Sequence, residues 1–228
     1  MVLTIDDGPS LAVTARLSPA ERHAALRETL ARQHITAVMY VTLNFGADRP
    51  EGRALAQAWA AAGHLLGNHT VSHPDLDDPA VTLEQYLEEI GRCGAAMATL
   101  PGWRRWFRAT YLHEGATPAK RDGLRRYLAE HGYRLAPVHL DSLDWQFAPR
   151  LQAQLLDPQA DGAALKREFL AQLLERARAL RDEGGGPAVL LMHDNLLTAL
   201  WLDDTLRALL AAGHRFVPPE DARRDTAQ

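Results

Sequence analysis

Short apolar runs alternate with helix-patterned segments from one end of the 228-residue chain to the other. The apolar runs predict strands over residues 2–5, 35–43, 64–66, 105–108, 133–138, 188–192 and 215–217. The segments between them are rich in Ala, Leu, Glu and Arg, and they predict helices over residues 19–33, 52–62, 83–100, 118–131, 163–182 and 200–212. Such alternation is typical of an α/β fold with a largely parallel sheet, and about seven units favour a barrel over an open sheet.

We expect the chain to form a single domain over residues 1–228. The longest irregular stretch, residues 146–162, and the glycine-rich residues 184–187 are predicted to be loops within this domain, because neither side of them has enough strands to close a sheet. Three glycines each stand between a predicted helix and the next strand, where a left-handed residue commonly ends the helix: Gly63, Gly132 and Gly213.

The composition, 46% hydrophobic and 24% charged, is that of a globular protein. The net charge is −4 and the sequence has no dense stripe of Lys and Arg, which argues against a nucleic-acid partner. Cys93 is the only cysteine, so this chain has no intrachain disulfide, and its alanine-rich surroundings predict a buried thiol. No apolar run reaches transmembrane length. No signal peptide precedes the first strand, so we expect a protein that is cytoplasmic or exported with its signal removed.

Two adjacent aspartates, Asp6 and Asp7, follow the first predicted strand and precede the turn signal Gly8-Pro9. Because successive side chains on a strand point to opposite faces, both carboxylates reach one site only if the backbone leaves regular geometry there. Two close carboxylates repel each other unless one binds a cation and the other titrates. The stretch therefore indicates either a cation site beside a titrating carboxylate or a turn with both carboxylates in water.

His69 and His73 are four residues apart, a spacing that places both imidazoles on one face of a helical turn. Pro74 would end such a turn, and Asn68 or Thr70 could cap its start. Two imidazoles and one carboxylate leave room for water on a metal ion, as in catalytic zinc sites. The alternative is that both residues are loop histidines without a ligand.

His193 and Asp194 follow the strand predicted over residues 188–192. A histidine in this position is a natural general acid or base, because its pKa can be tuned around neutrality. The alternative is a helix cap, in which Asp194 or Asn195 starts the next helix and His193 has no chemical role.

Two further stretches carry polar residues beside aromatic ones. Asp141 and Asp144 precede Trp145, and a carboxylate that hydrogen-bonds an imidazole fixes its orientation and raises its pKa. Arg108 stands near Tyr111, and an arginine next to a catalytic aspartate would hold that carboxylate ionised and in position.

The order of these motifs resembles that of the polysaccharide deacetylases with a NodB homology domain, carbohydrate esterase family four. The family motifs are T-F-D-D-G, H-[ST]-x-x-H, R-x-P-[FY], D-x-x-D-W and L-x-H. Here the corresponding stretches are TIDDG, HTVSH, RATY, DSLDW and LMH, at residues 4–8, 69–73, 108–111, 141–145 and 191–193. The resemblance spans nearly the whole chain. It implies a distorted (β/α) barrel and hydrolysis of N- or O-acetyl groups on a carbohydrate polymer or oligomer.

The resemblance also implies a metal site and a general base. Asp7, His69 and His73 would bind a divalent metal ion, usually zinc. Asp6 would be the general base that takes a proton from the attacking water, and Arg108 would orient it.

The same resemblance implies the remaining roles. His193 would be the general acid, and Asp144 would tune it. Tyr111 would offer its backbone N–H to the oxyanion, and Trp145 and Leu191 would line the acetyl pocket.

Two residues depart from the family motifs. Ile5 replaces the usual aromatic residue, a change that we expect to affect only packing. Thr110 replaces the proline of the third motif, and we expect it to alter the loop that shapes the substrate groove.

Two other functions stay open at this point. One is a metal-dependent amidase acting on a small non-glycan amide or imide, and the other is a catalytically weak relative that binds glycans. Retention of both aspartates, both motif histidines and His193 argues against the second. The sequence leaves open the identity of the glycan, the native metal and the oligomeric state.

Overall fold

The computed structural model of the protein describes residues 1–182 and 186–222. Its strands are β1 (Val2–Gly8), β2 (Ala37–Val41), β3 (Leu65–Asn68), β4 (Trp103–Phe107), β5 (Arg134–Leu135), β6 (Leu140–Asp141) and β7 (Val189–His193). Its α-helices are α1 (Pro19–Gln33), α2 (Pro50–Ala61), α3 (Leu83–Met97), α4 (Pro118–Glu130), α5 (Asp144–Gln154), α6 (Ala163–Asp182) and α7 (Leu196–Ala211). None of the helices in these ranges is long and apolar enough to cross a membrane.

The seven strands of the described residues belong to one sheet, with hydrogen-bonded neighbours in the order β5-β4-β3-β2-β1-β7-β6. Pairing is parallel between β2 and β3, β3 and β4, β4 and β5, and β6 and β7. The predicted fold class, a distorted (β/α) barrel with about seven strands, is confirmed. That residues 1–228 form a single domain stays a prediction.

One predicted strand is wrong, and one observed strand is absent from the prediction. Residues 215–217 form no strand, although the Val217 N–H donates a hydrogen bond to the Met1 carbonyl at 2.9 Å. The additional strand is β6, which has only 2 residues. A segment this short is too brief to show the alternating pattern by which strands are predicted.

The loop predicted over residues 146–162 is wrong in its first half, because α5 runs to Gln154. Pro149 lies inside this helix, where a proline removes one backbone hydrogen bond and makes the segment read as a loop. Phe147 and Leu151 lie four residues apart on one helix face and are both buried. Their burial favours the helix in spite of the proline. Of the loop predicted over residues 184–187, residues 184 and 185 lie outside the described residues.

Backbone contacts divide the chain into two compact units. The first unit comprises Met1–Ile5, Ser10–Ala37 and the described part of Val138–Gln228. Within it, α7 packs against α1, α5 and α6. A capping box starts α1: the Ser18 side chain accepts from the Glu21 N–H, and the Glu21 carboxylate accepts from the Ser18 N–H.

The second unit comprises Asp6–Pro9 and Val38–Pro137. Within it, α3 packs against α4 and β3. The buried residues of α3 recur every three or four positions, and Tyr86 and Ile90 of this face pack into a core cluster with Phe107. This packing determines where the loops after β3 and β4 lie in the second unit.

The three glycines predicted to follow helix ends are confirmed in that role. Gly63, Gly132 and Gly213 have φ angles of 87°, 66° and 89°, and they follow the last residues of α2, α4 and α7. Glycine adopts this left-handed conformation without the steric cost of a Cβ atom.

Candidate active site

The adjacent aspartates lie at the end of β1, where the backbone leaves regular strand geometry, the condition under which both carboxylates can reach one site. Asp7 has a φ of 67°, in the left-handed region that a residue other than glycine adopts only when its surroundings hold it there. The Asp6 side chain is 2% exposed and the Asp7 side chain is 27% exposed. The alternative of a turn with both carboxylates in water is therefore wrong.

Asp7, His69 and His73 form a compact group of possible metal ligands in the second unit. Asp7 Oδ1 lies 3.6 Å from His69 Nε2 and 3.3 Å from His73 Nε2. The candidate ligand atoms of all three residues lie within 4.8 Å of one another. Asp6 Oδ2 is 3.8 Å from His69 Nε2, so the second aspartate lies beside this group.

The two histidines come together without the predicted helical turn. Residues 69–75 are not helical, and Thr70 and His73 have φ angles of 69° and 61°. The Asn68 side-chain oxygen accepts from the Thr70 N–H at 2.9 Å, and the Thr70 hydroxyl accepts from the His73 N–H at 3.1 Å. The predicted capping residues therefore organise a left-handed turn instead of a helix start.

Glu89 of α3, which the sequence does not single out, holds the peptide between the two histidines. Its carboxylate accepts hydrogen bonds from the Val71 N–H at 3.2 Å, the Ser72 N–H at 2.9 Å and the Ser72 hydroxyl at 2.5 Å. No local pattern indicates this contact, because Glu89 lies 17 residues after Ser72 in the chain.

The His69 ring is held by a hydrogen bond to a backbone carbonyl. Its Nδ1 lies 2.8 Å from the Arg108 carbonyl oxygen, and because a carbonyl only accepts, Nδ1 carries the proton. The Nε2 lone pair then faces Asp7. Metal-ligating histidines commonly donate their other ring N–H in this way. The imidazoles of His69 and His73 and the Asp7 carboxylate therefore form a donor set that could hold a divalent cation.

Arg108 contacts Asp6, as the family resemblance implies. Its Nη1 donates to Asp6 Oδ2 at 3.2 Å, and both side chains are almost fully buried. Its Nε and Nη2 donate to the carbonyls of Ala136 at 3.1 Å and Pro137 at 3.3 Å, and its guanidinium lies 4.7 Å from the centroid of the Tyr40 ring. These contacts hold the guanidinium in place beside the Asp6 carboxylate, and that Arg108 orients Asp6 for catalysis stays a prediction.

In the first unit, His193 and Asp144 form a hydrogen-bonded pair, with His193 Nδ1 2.7 Å from Asp144 Oδ1. Asp144 Oδ2 also accepts from the His193 N–H at 2.9 Å, the Asn195 amide at 2.6 Å and the Thr198 hydroxyl at 2.8 Å. Burial alone would raise the pKa of Asp144, but the charge of His193 and these hydrogen bonds hold that pKa below its ordinary value. Asn195 also caps α7 by accepting from the Thr198 N–H at 2.9 Å, so the predicted cap coexists with the His193 contact.

The three predicted substrate-binding residues differ in exposure. Tyr111 is 56% exposed, and its ring packs edge-to-face on His73 with centroids 4.6 Å apart. Trp145 is 49% exposed, and its indole N–H donates to Asp141 Oδ2 at 3.3 Å. Leu191 is 3% exposed within β7. The two aromatic side chains therefore present surface to solvent, whereas Leu191 presents little.

The predicted site residues fall into two groups, one in each unit. The group in the second unit contains Asp6, Asp7, His69, His73, Arg108 and Tyr111, and the group in the first unit contains Asp144, Trp145, Leu191 and His193. That both groups act on one substrate stays a prediction.

Asp75, Asp77 and His113 form a second group of possible metal ligands, which the sequence does not indicate. His113 Nδ1 lies 2.9 Å from Asp75 Oδ1 and 3.6 Å from Asp77 Oδ2, and all three side chains are about one-third exposed or more. Because exposed acidic groups with a histidine neighbour commonly form ion pairs without a metal, we assign no cation to them.

The family model described as polysaccharide deacetylase matches residues 1–136 of the chain. A chitooligosaccharide deacetylase of Azorhizobium caulinodans is 26% identical over 228 residues, which covers 95% of this chain and 85% of that protein. The crystal structure of a polysaccharide deacetylase from Bacillus cereus superposes with a TM-score of 0.69 at 23% identity and covers 100% of this chain and 93% of that one. For the chitin deacetylase of the fungal pathogen Colletotrichum lindemuthianum the TM-score is 0.67 at 21% identity, with the same coverage of 100% and 93%. At these identities the two structures show a shared fold.

Proposed function

Because the chain belongs to the polysaccharide deacetylase family, a family of hydrolases, we propose that it removes N- or O-acetyl groups from a carbohydrate polymer or oligomer. The products would be acetate and a free amine or hydroxyl on the sugar. An acetylated chitooligosaccharide is the first substrate to test, since the relative from Azorhizobium caulinodans is named for it.

The observation that carries the proposal is the position of Asp6. Its Oδ2 lies 3.8 Å from His69 Nε2 and 3.2 Å from Arg108 Nη1. Asp6 is thus a buried carboxylate beside one of the three candidate metal ligands, so a group that can accept a proton lies next to a possible metal site. Metal-assisted hydrolysis of an amide or ester uses both.

Asp7, His69 and His73 would hold a divalent cation, and we propose zinc. A cation held there would act as a Lewis acid toward the acetyl carbonyl and the attacking water. His69 is fixed by its hydrogen bond to the Arg108 carbonyl. Asp7 and His73 are partly exposed, which leaves the group accessible to substrate and water.

Asp6 would act as the general base. It would accept a proton from the attacking water, and Arg108 would keep its carboxylate in one orientation while it does so. The anchoring of Arg108 by two backbone carbonyls supports this role, because a fixed guanidinium loses little freedom when substrate binds.

His193 would act as the general acid. Its Nδ1–H is directed at Asp144, so its Nε2 is the atom that would protonate the leaving nitrogen or oxygen. The backbone N–H of Tyr111 would stabilise the oxyanion. Trp145 and Leu191 would line the acetyl site, with the exposed indole offering the larger surface.

Release of acetate from an N-acetylated chitooligosaccharide tests this function. The purified chain should release acetate when zinc is supplied, and the Asp6→Asn variant should release far less. Acetylated xylan tests the ester substrates in the same assay. Hydrolysis of a small imide without acetate release from either glycan would favour the amidase alternative. Glycan binding without hydrolysis would instead indicate a weak binding relative.

A further inference from the structure

Thr110 lies where the family motif has proline, and it begins a tight turn over residues 110–112. Its side chain and that of Tyr86 are fully buried. The Thr110 N–H donates to the Tyr86 hydroxyl oxygen at 3.2 Å, and the two hydroxyl oxygens are 2.8 Å apart. The Thr110 hydroxyl also donates to the Pro74 carbonyl.

The direction of each hydrogen bond in this cluster follows from its chemistry. The Pro74 carbonyl can only accept, so the Thr110 hydroxyl donates its proton there. Tyr86 must therefore donate its own hydroxyl proton to Thr110 Oγ1, while its oxygen accepts the Thr110 N–H. Burial raises the pKa of Tyr86 to about 12, which keeps that proton in place. Every donor of the pair is used, at a buried position where an unmade hydrogen bond is costly.

The residues that follow Thr110 adopt a strained conformation. Tyr111 and Leu112 have φ angles of 57° and 61°, in the left-handed region. Residues other than glycine persist there only where the surrounding structure holds them. Tyr111 also packs its ring on His73, and Pro74 is the residue that follows His73. The Thr110 hydroxyl therefore joins the residue before Tyr111 to the residue after His73, a candidate metal ligand.

We propose that Thr110 and Tyr86 are positioning residues that together set the Tyr111 N–H relative to His73. We refer to this hydrogen-bonded pair as the Thr110–Tyr86 clasp. Proline at position 110 could make neither bond of the pair, because it has no N–H and no hydroxyl. This chain thus uses two buried hydroxyl groups where the family motif has a conformationally restricted ring. The expected effect on kcat rests on the proposed deacetylase function, whereas the existence of the clasp can be tested independently of that function.

Thr110→Val and Thr110→Ser form a matched pair of variants. Valine keeps the shape and the N–H but loses the hydroxyl, whereas serine keeps the hydroxyl. In Thr110→Val, kcat for acetate release should fall about tenfold to a hundredfold. The reason is that a displaced Tyr111 N–H would stabilise the oxyanion of the transition state less well. KM should stay within about twofold of wild type, because ground-state binding is unaffected. Thr110→Ser should retain most of the rate.

Tyr86→Phe gives an independent version of the same test, and it decides the question if Thr110→Val does not fold. It removes one hydroxyl at the end of a rigid ring, and it should lower kcat in the same way. All rates are compared at a temperature at which thermal unfolding curves show every variant to be folded. A serine variant as impaired as the valine variant, or a Tyr86→Phe variant with unchanged kcat, would overturn the positioning role.

Amide hydrogen exchange over residues 108–113 tests the Thr110–Tyr86 clasp without an activity measurement. Exchange should be faster in Thr110→Val and Tyr86→Phe than in wild type and Thr110→Ser, because the strained segment loses its anchor. Equal exchange in all four proteins would overturn the clasp. A wild-type chain that releases no acetate would contradict the proposed function, and the exchange result would still decide whether the clasp exists.

Discussion

His193 Nδ1 lies 2.7 Å from Asp144 Oδ1, and the backbone N–H of the same histidine donates to Asp144 Oδ2 at 2.9 Å. One carboxylate therefore determines both the orientation of the ring and the position of its backbone. The ring nitrogen that faces Asp144 carries a proton, which leaves Nε2 for the proposed proton transfer to the leaving group.

Replacing Asp144 with asparagine should move the alkaline limb of the pH–rate profile to lower pH. The pKa of Asp144 is held below its ordinary value, so its carboxylate is ionised at neutral pH and favours the protonated His193 ring. The rate should fall at low pH as the Asp6 base is protonated and at high pH as His193 loses its proton. Asparagine keeps the shape and removes the charge, so the alkaline limb should shift by about one pH unit.

Measurement of kcat/KM against pH for wild type and Asp144→Asn tests this prediction. The acidic limb serves as the internal control, because it reports on Asp6 and should stay nearly fixed. An alkaline limb at the wild-type position would mean that Asp144 only holds the segment between β7 and α7 in place.

Asp7, His69 and His73 should bind one divalent ion per chain. His73→Ala removes one of three protein ligands and should abolish binding after dialysis. His113→Ala is the matched control, because His113 belongs to the more exposed group with Asp75, and it should retain the ion. Elemental analysis after loading with zinc gives the stoichiometry. Wild-type protein without metal above background, or loss of metal in His113→Ala alone, would contradict this assignment.

Asp6→Asn should keep the metal and lose the reaction. Asparagine is nearly isosteric with aspartate, but its amide cannot accept a proton, so the rate should fall roughly 10²- to 10⁴-fold. The Arg108 hydrogen bond to the remaining side-chain oxygen can persist, which favours a folded variant. Acetate release and zinc content measured on the same preparation separate the two effects. Near wild-type hydrolysis in this variant would show that Asp6 is not the base.

Asp194 should make the fold sensitive to acid. Its buried carboxylate lies 2.8 Å from Arg22 Nε and 2.9 Å from His23 Nε2, and it accepts from the Ser10 N–H at 2.7 Å. Burial alone would raise the pKa of Asp194, but the charges and hydrogen bonds of His23 and Arg22 lower it to about 2. The pKa of Asp194 is lower in the folded protein than in the unfolded chain. The ionised carboxylate therefore makes its full contribution to the free energy of unfolding at pH values above the ordinary pKa of aspartate. This contribution is lost as pH falls toward 2, by about 2 kcal/mol in total.

Urea unfolding of wild type and Asp194→Asn at pH 5 and near pH 2.5 tests this contribution. Between pH 5 and pH 2.5 the free energy of unfolding should fall more in wild type than in Asp194→Asn, because the neutral asparagine amide does not take up a proton. Other carboxylates titrate equally in both proteins and cancel in the difference. Parallel losses would show that Asp194 does not contribute to the acid sensitivity.

Local patterns in the sequence determined the order of most elements and the places of the candidate site residues along the chain. The boundaries predicted for α1 and α6 agree with the structure, because each helix follows a periodic segment with clear ends. The glycines after α2, α4 and α7 were predictable because a left-handed residue is a local requirement. The placement of Asp6, Asp7 and His193 at strand ends was also predictable, since an apolar run that stops at a polar residue marks the end of a buried strand.

Tertiary contacts decided how distant residues meet in the candidate site, which local sequence patterns do not indicate. The two candidate ligand histidines were predicted to meet on a helical turn. They meet instead through a turn with left-handed residues, which the side chains of Asn68 and the distant Glu89 hold. Thr110 was recognisable only as a departure from a motif, and its partner Tyr86 lies 24 residues away in the chain. The physical reason is the same in both cases. Periodicity reports the conformation of neighbouring residues, whereas the partner of a buried hydroxyl or carboxylate depends on which elements the fold packs against it.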